Sequence, residues 1–505
     1  MKKWIVIFVF MIFYCSAESK TLAIGTGVNY SNLTTAVKDA LPGDTILFKE
    51  GIYQGNQFIS NLNGNKNNWI TILAEYGRDV IIQGGSVAWM MSNVSFIEIE
   101  GFIFEKQTGN GVNIDDGGTF SSPSHDLRIE NCIWRDMDAT GNSDQLKLSG
   151  VDSSLIRRCH FINGSAGGSQ IDMVGCHNNF FEDNTFVNAG SNCIQAKGGS
   201  SYLTIQRNTF TDGGERSLNI GGSTDLQFFR PQGVTYEASN IYVYSNLFKG
   251  SIGTIAFVNA INCEVVNNTI ISPGRWTVRI LQETVLPQFQ KCGNNSFINN
   301  LGYIGNAATA EKSINIGPNT APETFTFSNN LWYNYETPAW KGPNNAVTHI
   351  NSLVGADPGL KDAMNDNYIL LTTSPAIGKG LSVKYPKRDF LNNQFSLPPS
   401  IGCYEGKLGV KVDEENYQPD EDTELYPIPA NDYMKLNISG KAGETLILSI
   451  NDLMGNNCNY SRKFSLSEGE NSLTIDLSGL NLLKGMYIFS FQKGIRTKYL
   501  NFIKN

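Results

Sequence analysis

The chain has 505 residues, 41% hydrophobic and 17% charged, and a formal net charge of −8. That length accommodates one large domain and one small one. The acidic balance argues against general nucleic-acid binding, and beyond the N-terminus no apolar run approaches the ~20 residues of a membrane-spanning helix.

Residues 1–17 hold two lysines, an apolar run from Trp4 to Tyr14, and then Cys15, Ser16 and Ala17, the order of a secretory signal peptide. Cys15 opens a lipoprotein alternative, but Tyr14 is a poor residue to precede a lipidated cysteine. Eight of the nine cysteines then remain. None forms a Cys-x-x-Cys pair and the four histidines are scattered, so no zinc site is expected.

A period of about 22–25 residues governs the middle of the chain. One series runs through Cys132, Cys159, Asn184, Asn208, Asn246, Asn268, Asn300 and Asn330, each opening a short apolar segment. A second, half a period out of step, opens at Val112, Leu146, Ile171, Ile194, Leu218, Ile255 and Val278. Its segments alternate with period two, so Leu146 and Leu148 face one way and Lys147 the other. Helical repeats would space apolar residues by three and four. A leucine-rich repeat would keep a ladder of leucines, whereas these inward positions vary among Val, Leu, Ile, Ala, Met and Phe. One coil cannot bury its own apolar face, so coils must stack. The expected fold is all-β, a right-handed parallel β-helix. The Asn series is predicted to stack inward at a turn, each amide bonding to the next coil. Cys132 and Cys159 occupy equivalent positions on successive coils; buried thiols are expected there, with a disulfide the alternative.

The ends support this. Thr35 to Leu41, followed by the segment from Pro42 to Phe48, resembles the capping helix and first rung of secreted β-helix proteins of the pectate-lyase-like superfamily. Asp357-Pro-Gly, the stretch from Ser374 and Ile401-Gly-Cys-Tyr-Glu resemble their last rungs, so the resemblance covers roughly residues 20–405.

Outward residues at equivalent positions should form columns, coil above coil at ~4.8 Å. The middle column reads Asn113, Lys147, Asp172, Gln195, Asn219, Ala256 and Arg279. The next reads Asp115, Ser149, Val174, Lys197, Gly221 and Val258, with Asp144, Asn192, Glu215 and Arg216 at the strand entrances. An insertion from Ser223 to Ser239 adds Phe228, Phe229, Arg230 and Tyr236, side chains suited to stacking on sugars and binding an anion. Such a groove along a solenoid suits a linear polymer. The expected substrate-binding residues are Asp172, Gln195, Asn219, Arg230, Phe229, Tyr236 and Arg279. The competing reading makes Lys147 and Asp172 a surface ion pair worth under ~1 kcal/mol.

Ala196-Lys197-Gly198, Asn208-Thr-Phe and Ser217-Leu-Asn-Ile-Gly-Gly resemble part of the pattern of chondroitinase B and the alginate lyases of polysaccharide lyase family six. The resemblance implies that Lys197 removes the proton alpha to a uronate carboxyl. Ile220, Gly221 and Gly222 stand where that family has Leu-Arg-His-Gly, and Arg216 is nearby. Ala189, Gly190 and Asn192 stand where its calcium-holding acids would be. A lysine base must be partly neutral, and the substrate carboxylate must be neutralised. Lys197 is therefore the expected base, with Arg216, Arg230 and Asn219 on the carboxylate. Lys147 is the rival base, and Asp172 is a candidate calcium ligand. Hydrolysis would need two carboxylates about 5–9.5 Å apart, for which Asp172 with Asp144 or Glu215 could serve. The polygalacturonase signatures and the Arg-x-Pro-x-x-Arg motif of common pectate lyases are missing, since Arg279-Ile-Leu and Arg230-Pro231 do not satisfy them.

Residues 411–424 carry seven acidic side chains against one lysine and read as a solvated linker. Tyr426-Pro-Ile-Pro, Asp452-x-x-Gly, Lys484-Gly-x-Tyr and the terminal lysine resemble the C-terminal sorting domain of the type IX secretion system of Bacteroidetes. That implies export, surface attachment and removal of the domain, here a small β-sandwich. The expected organisation is signal peptide 1–17, β-helix 18–406, linker 407–424 and sorting domain 425–505. The expected function is a monomeric, secreted polysaccharide lyase acting on an acidic glycan, with the type IX secretion machinery as its other partner. Alternatives are a non-catalytic, adhesin-like glycan binder, and a hydrolase or uronan epimerase.

Overall fold

The computed structural model describes residues 19–77, 79–309, 313–343, 346–407, 424–426, 430–451, 457–480, 482, 485–493 and 496–504. The expected signal peptide with Cys15, most of the expected linker, and Asp452, Gly455 and Lys484 of the C-terminal motifs lie outside them. The chain divides into two compact units, Met1–Gly409 and Val410–Asn505.

In the first unit each coil contributes one strand to each of three parallel sheets: sheet I of 10 strands, sheet II of 15 and sheet III of 12. Asn192–Lys197, Ser200–Gln206 and Thr209–Thr211 make up one such coil. The period-two pattern is realised there, with Ile194 and Ala196 buried inward and Gln195 and Lys197 half-buried outward. This is a right-handed parallel β-helix.

The corner between sheets II and III explains the asparagine series. Each coil turns through one residue in the left-handed region: Asp183 at φ 58°, Arg207 at 54°, Asn267 at 55° and Asn299 at 58°. The next residue, an asparagine, then points inward. Asn184 Nδ2 donates to Asn208 Oδ1 at 3.0 Å, Asn208 to Asn246 at 3.0 Å, Asn246 to Asn268 at 3.0 Å and Asn268 to Asn300 at 2.9 Å. The same Oδ1 atoms accept the backbone N–H of the preceding rung, so the buried amides satisfy one another. Beside the ladder, Trp134, Phe161, Phe186, Phe210 and Phe248 stack at 4.7–5.0 Å between centroids. Cys132 and Cys159 begin the series as buried free thiols.

The capping helix spans Leu33–Ala36, two residues earlier than the sequence resemblance suggests, because the Asn32 side chain accepts from Thr35 N and starts the turn. Residues 357–406 are not the last rungs. The final coil ends at Leu353–Val354, and the Pro358-Gly359 break leads into an antiparallel hairpin of Leu360–Asp362 with Asn367–Leu370. The hairpin and the chain after it pack on outer side chains, with Tyr368, Cys403 and Tyr404 against Leu247 and Ile271.

The second unit has two antiparallel sheets of three and four strands. Met434, Leu436, Ile438, Leu448, Ile450, Ile475, Phe489 and Phe502 form their common core. No helix among the described residues is long and apolar enough to cross a membrane.

Candidate functional site

The outward column of sheet I exists as expected. Asn113, Lys147, Asp172, Gln195, Asn219, Ala256 and Arg279 are direct partners on successive parallel strands. Asp115, Ser149, Val174 and Lys197 form the column beside it. It is not an open polar wall, however. Asp172 is 2% exposed and lies beneath two lysines. Lys147 Nζ donates to Asp172 Oδ2. Lys197 Nζ stands 3.5 Å from Asp172 Oδ1, which has no hydrogen-bond partner. Lys147 Nζ also lies 3.4 Å from Asp144 Oδ2, and the other oxygen of Asp144 accepts Ser169 N at 2.8 Å. Burial pushes both ammonium groups below the ordinary lysine value; Asp144 opposes this at both, and Lys197 adds to it at Lys147.

Lys147 and Lys197 line a cleft of ≈ 650 Å³ between two loops, one with Asp116 and Phe120, the other running from Ser223 to Arg230. Phe120 and Phe228 present rings that are 46% and 55% exposed. A second cleft of ≈ 650 Å³, lined by Ser60, Ser92, Asp115 and Asp116, shares Asp116 with it and continues along earlier coils.

The insertion is clamped in place. Arg230 donates from Nη1 and Nη2 to the two oxygens of Asp152, both at 2.7 Å, from Nη1 to Gly175 O at 2.8 Å, and from Nε to Phe120 O at 3.1 Å. It thereby ties both rim loops to the coil. Burial would raise the Asp152 carboxyl, but the hydrogen bonds from Arg230 and His177 hold it down at about 2. Glu237 is fully buried at the far end of the insertion and accepts from Gly198 N, Thr224 N and Thr284 Oγ1 at 2.9, 2.9 and 3.0 Å. Gly175 adopts φ +61°, and a Cβ there would stand 2.6 Å from Arg230 Cβ, so only glycine lets the clamp close.

Several expected site residues therefore do other work. Arg230 is not available to a substrate anion, because Asp152 and two carbonyls occupy its guanidinium. Phe229 is 2% exposed and packs edge-to-face on Phe289 at 5.6 Å. The turn Leu226–Phe228 sends Phe228 outward and Phe229 inward, so Phe228 takes the stacking position instead. Tyr236 is half-buried and outside the cleft lining. Asp172 does not fit a calcium ligand, since both of its oxygens face ammonium groups. Among the described residues no three His, Cys, Asp or Glu side chains gather to hold a metal.

Gln195 lies directly beside Asp172, whereas Asn219, Arg216 and Arg279 stand farther along sheet I. Arg216 donates to Asn219 Oδ1 at 2.8 Å and to Glu283 Oε1 at 3.1 Å. Arg279 lies 4.3 Å over the Trp276 ring and donates to Asn315 Oδ1 at 3.2 Å. Gln195 Oε1 accepts from Ser169 Oγ at 3.5 Å. Phe120, Asp152 and Glu237 were missed by reading columns, because they sit in or beside the turns. The signals available were the Gly117-Gly118 turn ahead of Phe120 and a lone acid, Glu237, entering an apolar strand.

Residues 51–270 match the family model described as a right handed beta helix region, and residues 424–505 match that of the secretion system C-terminal sorting domain. The first unit folds as a right-handed β-helix, and the C-terminal segment matches a secretion-system sorting domain. It is exported by type IX secretion and is either secreted or attached to the cell surface. No curated protein matches it. Among solved structures, an alginate lyase from Paenibacillus sp. str. FPU-7 is 14% identical at TM-score 0.38, covering 61% of this chain and 98% of that one. Pectate lyase Pel9A is 13% identical at TM-score 0.38, covering 77% and 97%. The catalytic unit of a GH87 α-1,3-glucanase from Streptomyces thermodiastaticus strain HF3-3 is 15% identical at TM-score 0.40, covering 64% and 65%.

Proposed function

We propose that the β-helix is a polysaccharide lyase that cleaves a uronate-containing glycan by β-elimination. The observation that carries this reading is the pair of buried lysines on either side of Asp172, in a cleft with exposed aromatic rings. Lys147 is held by two carboxylates, Asp144 and Asp172, and faces the substrate carboxylate. Lys197 approaches one carboxylate, at 3.5 Å, and is depressed by burial, which suits it to act as base. It takes the proton at C5, the electron pair forms the C4=C5 double bond, and the C4–O bond breaks; the departing oxygen takes a proton from solvent water, and Lys197 returns its own to solvent. Phe120 and Phe228 stack on flanking sugars. Arg216 and Arg279 meet carboxylates farther along the polymer.

The carboxylates favour elimination over hydrolysis. Asp144 and Asp172 both bond to Lys147 from beneath, so neither is free to flank a glycosidic bond. The second reading, glycan binding without turnover, is favoured by the ion pair that keeps Asp172 against both lysines.

The test is ultraviolet absorbance of unsaturated uronates, scanned over pectin, alginate and glycosaminoglycans with and without chelator. A signal on one polymer that Lys197→Ala abolishes supports the assignment. No signal on any polymer, with binding retained, establishes the second reading.

A further inference from the structure

A different face of the solenoid carries a second cleft, lined by aromatic and basic side chains. Phe180, Thr204, Tyr242, Glu264 and Ser296 are partners on five successive strands of sheet II. They line a cleft of ≈ 810 Å³ whose other wall is the segment from Val383 to Arg388. That segment is held to the coil by Ser245 Oγ, which donates to Arg388 O at 2.8 Å. Four inter-strand steps of ~4.8 Å make the cleft ~19 Å long, parallel to the solenoid axis.

The lining combines flat rings with surplus positive charge. Phe180 and Tyr385 are 48% and 45% exposed, and Tyr242 is half-buried. Lys384 and Lys387 hold their ammonium groups 5.4 and 5.7 Å from the Tyr385 centroid. Among the described residues neither lysine is paired with a carboxylate. The nearby acids are already engaged: Glu182 and Asp183 by Arg207 at 2.7 and 2.9 Å, and Glu264 by the Tyr244 hydroxyl at 2.6 Å. Arg388 Nη1 donates only to Asn392 O among the described residues.

We propose that this sheet II cleft is an auxiliary binding site for a linear acidic polysaccharide, whose sugar rings stack on Phe180, Tyr242 and Tyr385 and whose carboxylate or sulfate groups pair with Lys384, Lys387 and Arg388. A straight trough between a sheet and a raised segment matches a chain rather than a flat anionic membrane. The inference stands on the residues of this face and does not depend on turnover at Lys147 and Lys197. It would keep the protein on its polymer while the other face works.

Affinity electrophoresis of the full chain in gels containing polygalacturonate, alginate or chondroitin sulfate, with dextran as the neutral polymer, tests it. Retardation by at least one acidic polymer and none by dextran is expected. K384A/K387A and Tyr385→Ala should each weaken that retardation at least fivefold, with unchanged circular dichroism, whereas Lys197→Ala should preserve it. Wild-type retardation in both variants overturns the proposal. So does a wild type that ignores all three acidic polymers, or one that binds phosphatidylglycerol vesicles in their place. A Lys197→Ala protein that loses turnover yet stays retarded separates this site from the catalytic reading.

Discussion

The inner corner and the outer column of the β-helix are built from the same coils by opposite rules. Inside, one residue type recurs from Asn184 to Asn330, and Phe stacks on Phe beside it. Outside, Asn113, Lys147, Asp172, Gln195, Asn219, Ala256 and Arg279 differ at every step. An inward asparagine faces the same carbonyl and amide on each coil, so repetition is the arrangement that leaves no buried polar group unpaired. An outward residue faces whichever loop its own coil carries. Uniformity therefore marks stability in this fold, and departures from it mark chemistry.

Substitution can separate the two. Lys197→Ala in the outer column should cost turnover about 10²–10⁴-fold with little change in the denaturation midpoint, as expected for a lost general base. In the wild type, kcat/KM should rise with pH and level off below the ordinary lysine range, because only the neutral amine accepts a proton and burial lowers its pKa. A flat profile would break the comparison at its functional end.

Asn208→Ala should do the reverse. It removes bonds to Asn184, Asn246 and Phe181 O inside the coil, and the groups left unpaired there should cost about 3 kcal/mol, read as a lower urea midpoint. Turnover per folded molecule should be kept.

The Arg230–Asp152 clamp lies between these extremes. The gap between about 2 and the ordinary 3.8 for Asp152 corresponds to roughly 2 kcal/mol. Because the folded value is the lower one, this contribution is complete above pH 3.8 and disappears as pH falls through about 2. Urea midpoints measured from pH 5 to pH 2 should show that loss in the wild type and less of it in Asp152→Asn.

The smallest effect belongs to the rim. Phe228→Ala should raise KM about fivefold, near 1 kcal/mol, with kcat nearly unchanged, since stacking holds sugar in ground and transition states alike. An equal loss in kcat would move Phe228 from binding to positioning.

The alternation around Leu146 and the spacing of the asparagines were enough to order the coils, and the register follows residue for residue from Asn113 to Arg279. The insertion was harder to read. Phe228 and Phe229 are adjacent and chemically identical, and only the turn at Leu226–Phe228 decides which of them meets solvent. Arg230 looks like an anion site in the sequence because its partner, Asp152, lies 78 positions away.

The sequence by itself determined the solenoid, its inward ladder and the columns on its outer faces, because strand periodicity and coil stacking act on residues at regular spacing. Tertiary structure alone decided which column residues face a cleft, that Asp172 lies under two lysines, and that Val383 to Arg388 walls a trough on sheet II. Those outcomes depend on how irregular loops fold back over regular coils, and loop paths are set by single long-range contacts such as Arg230 with Asp152 rather than by any repeating pattern.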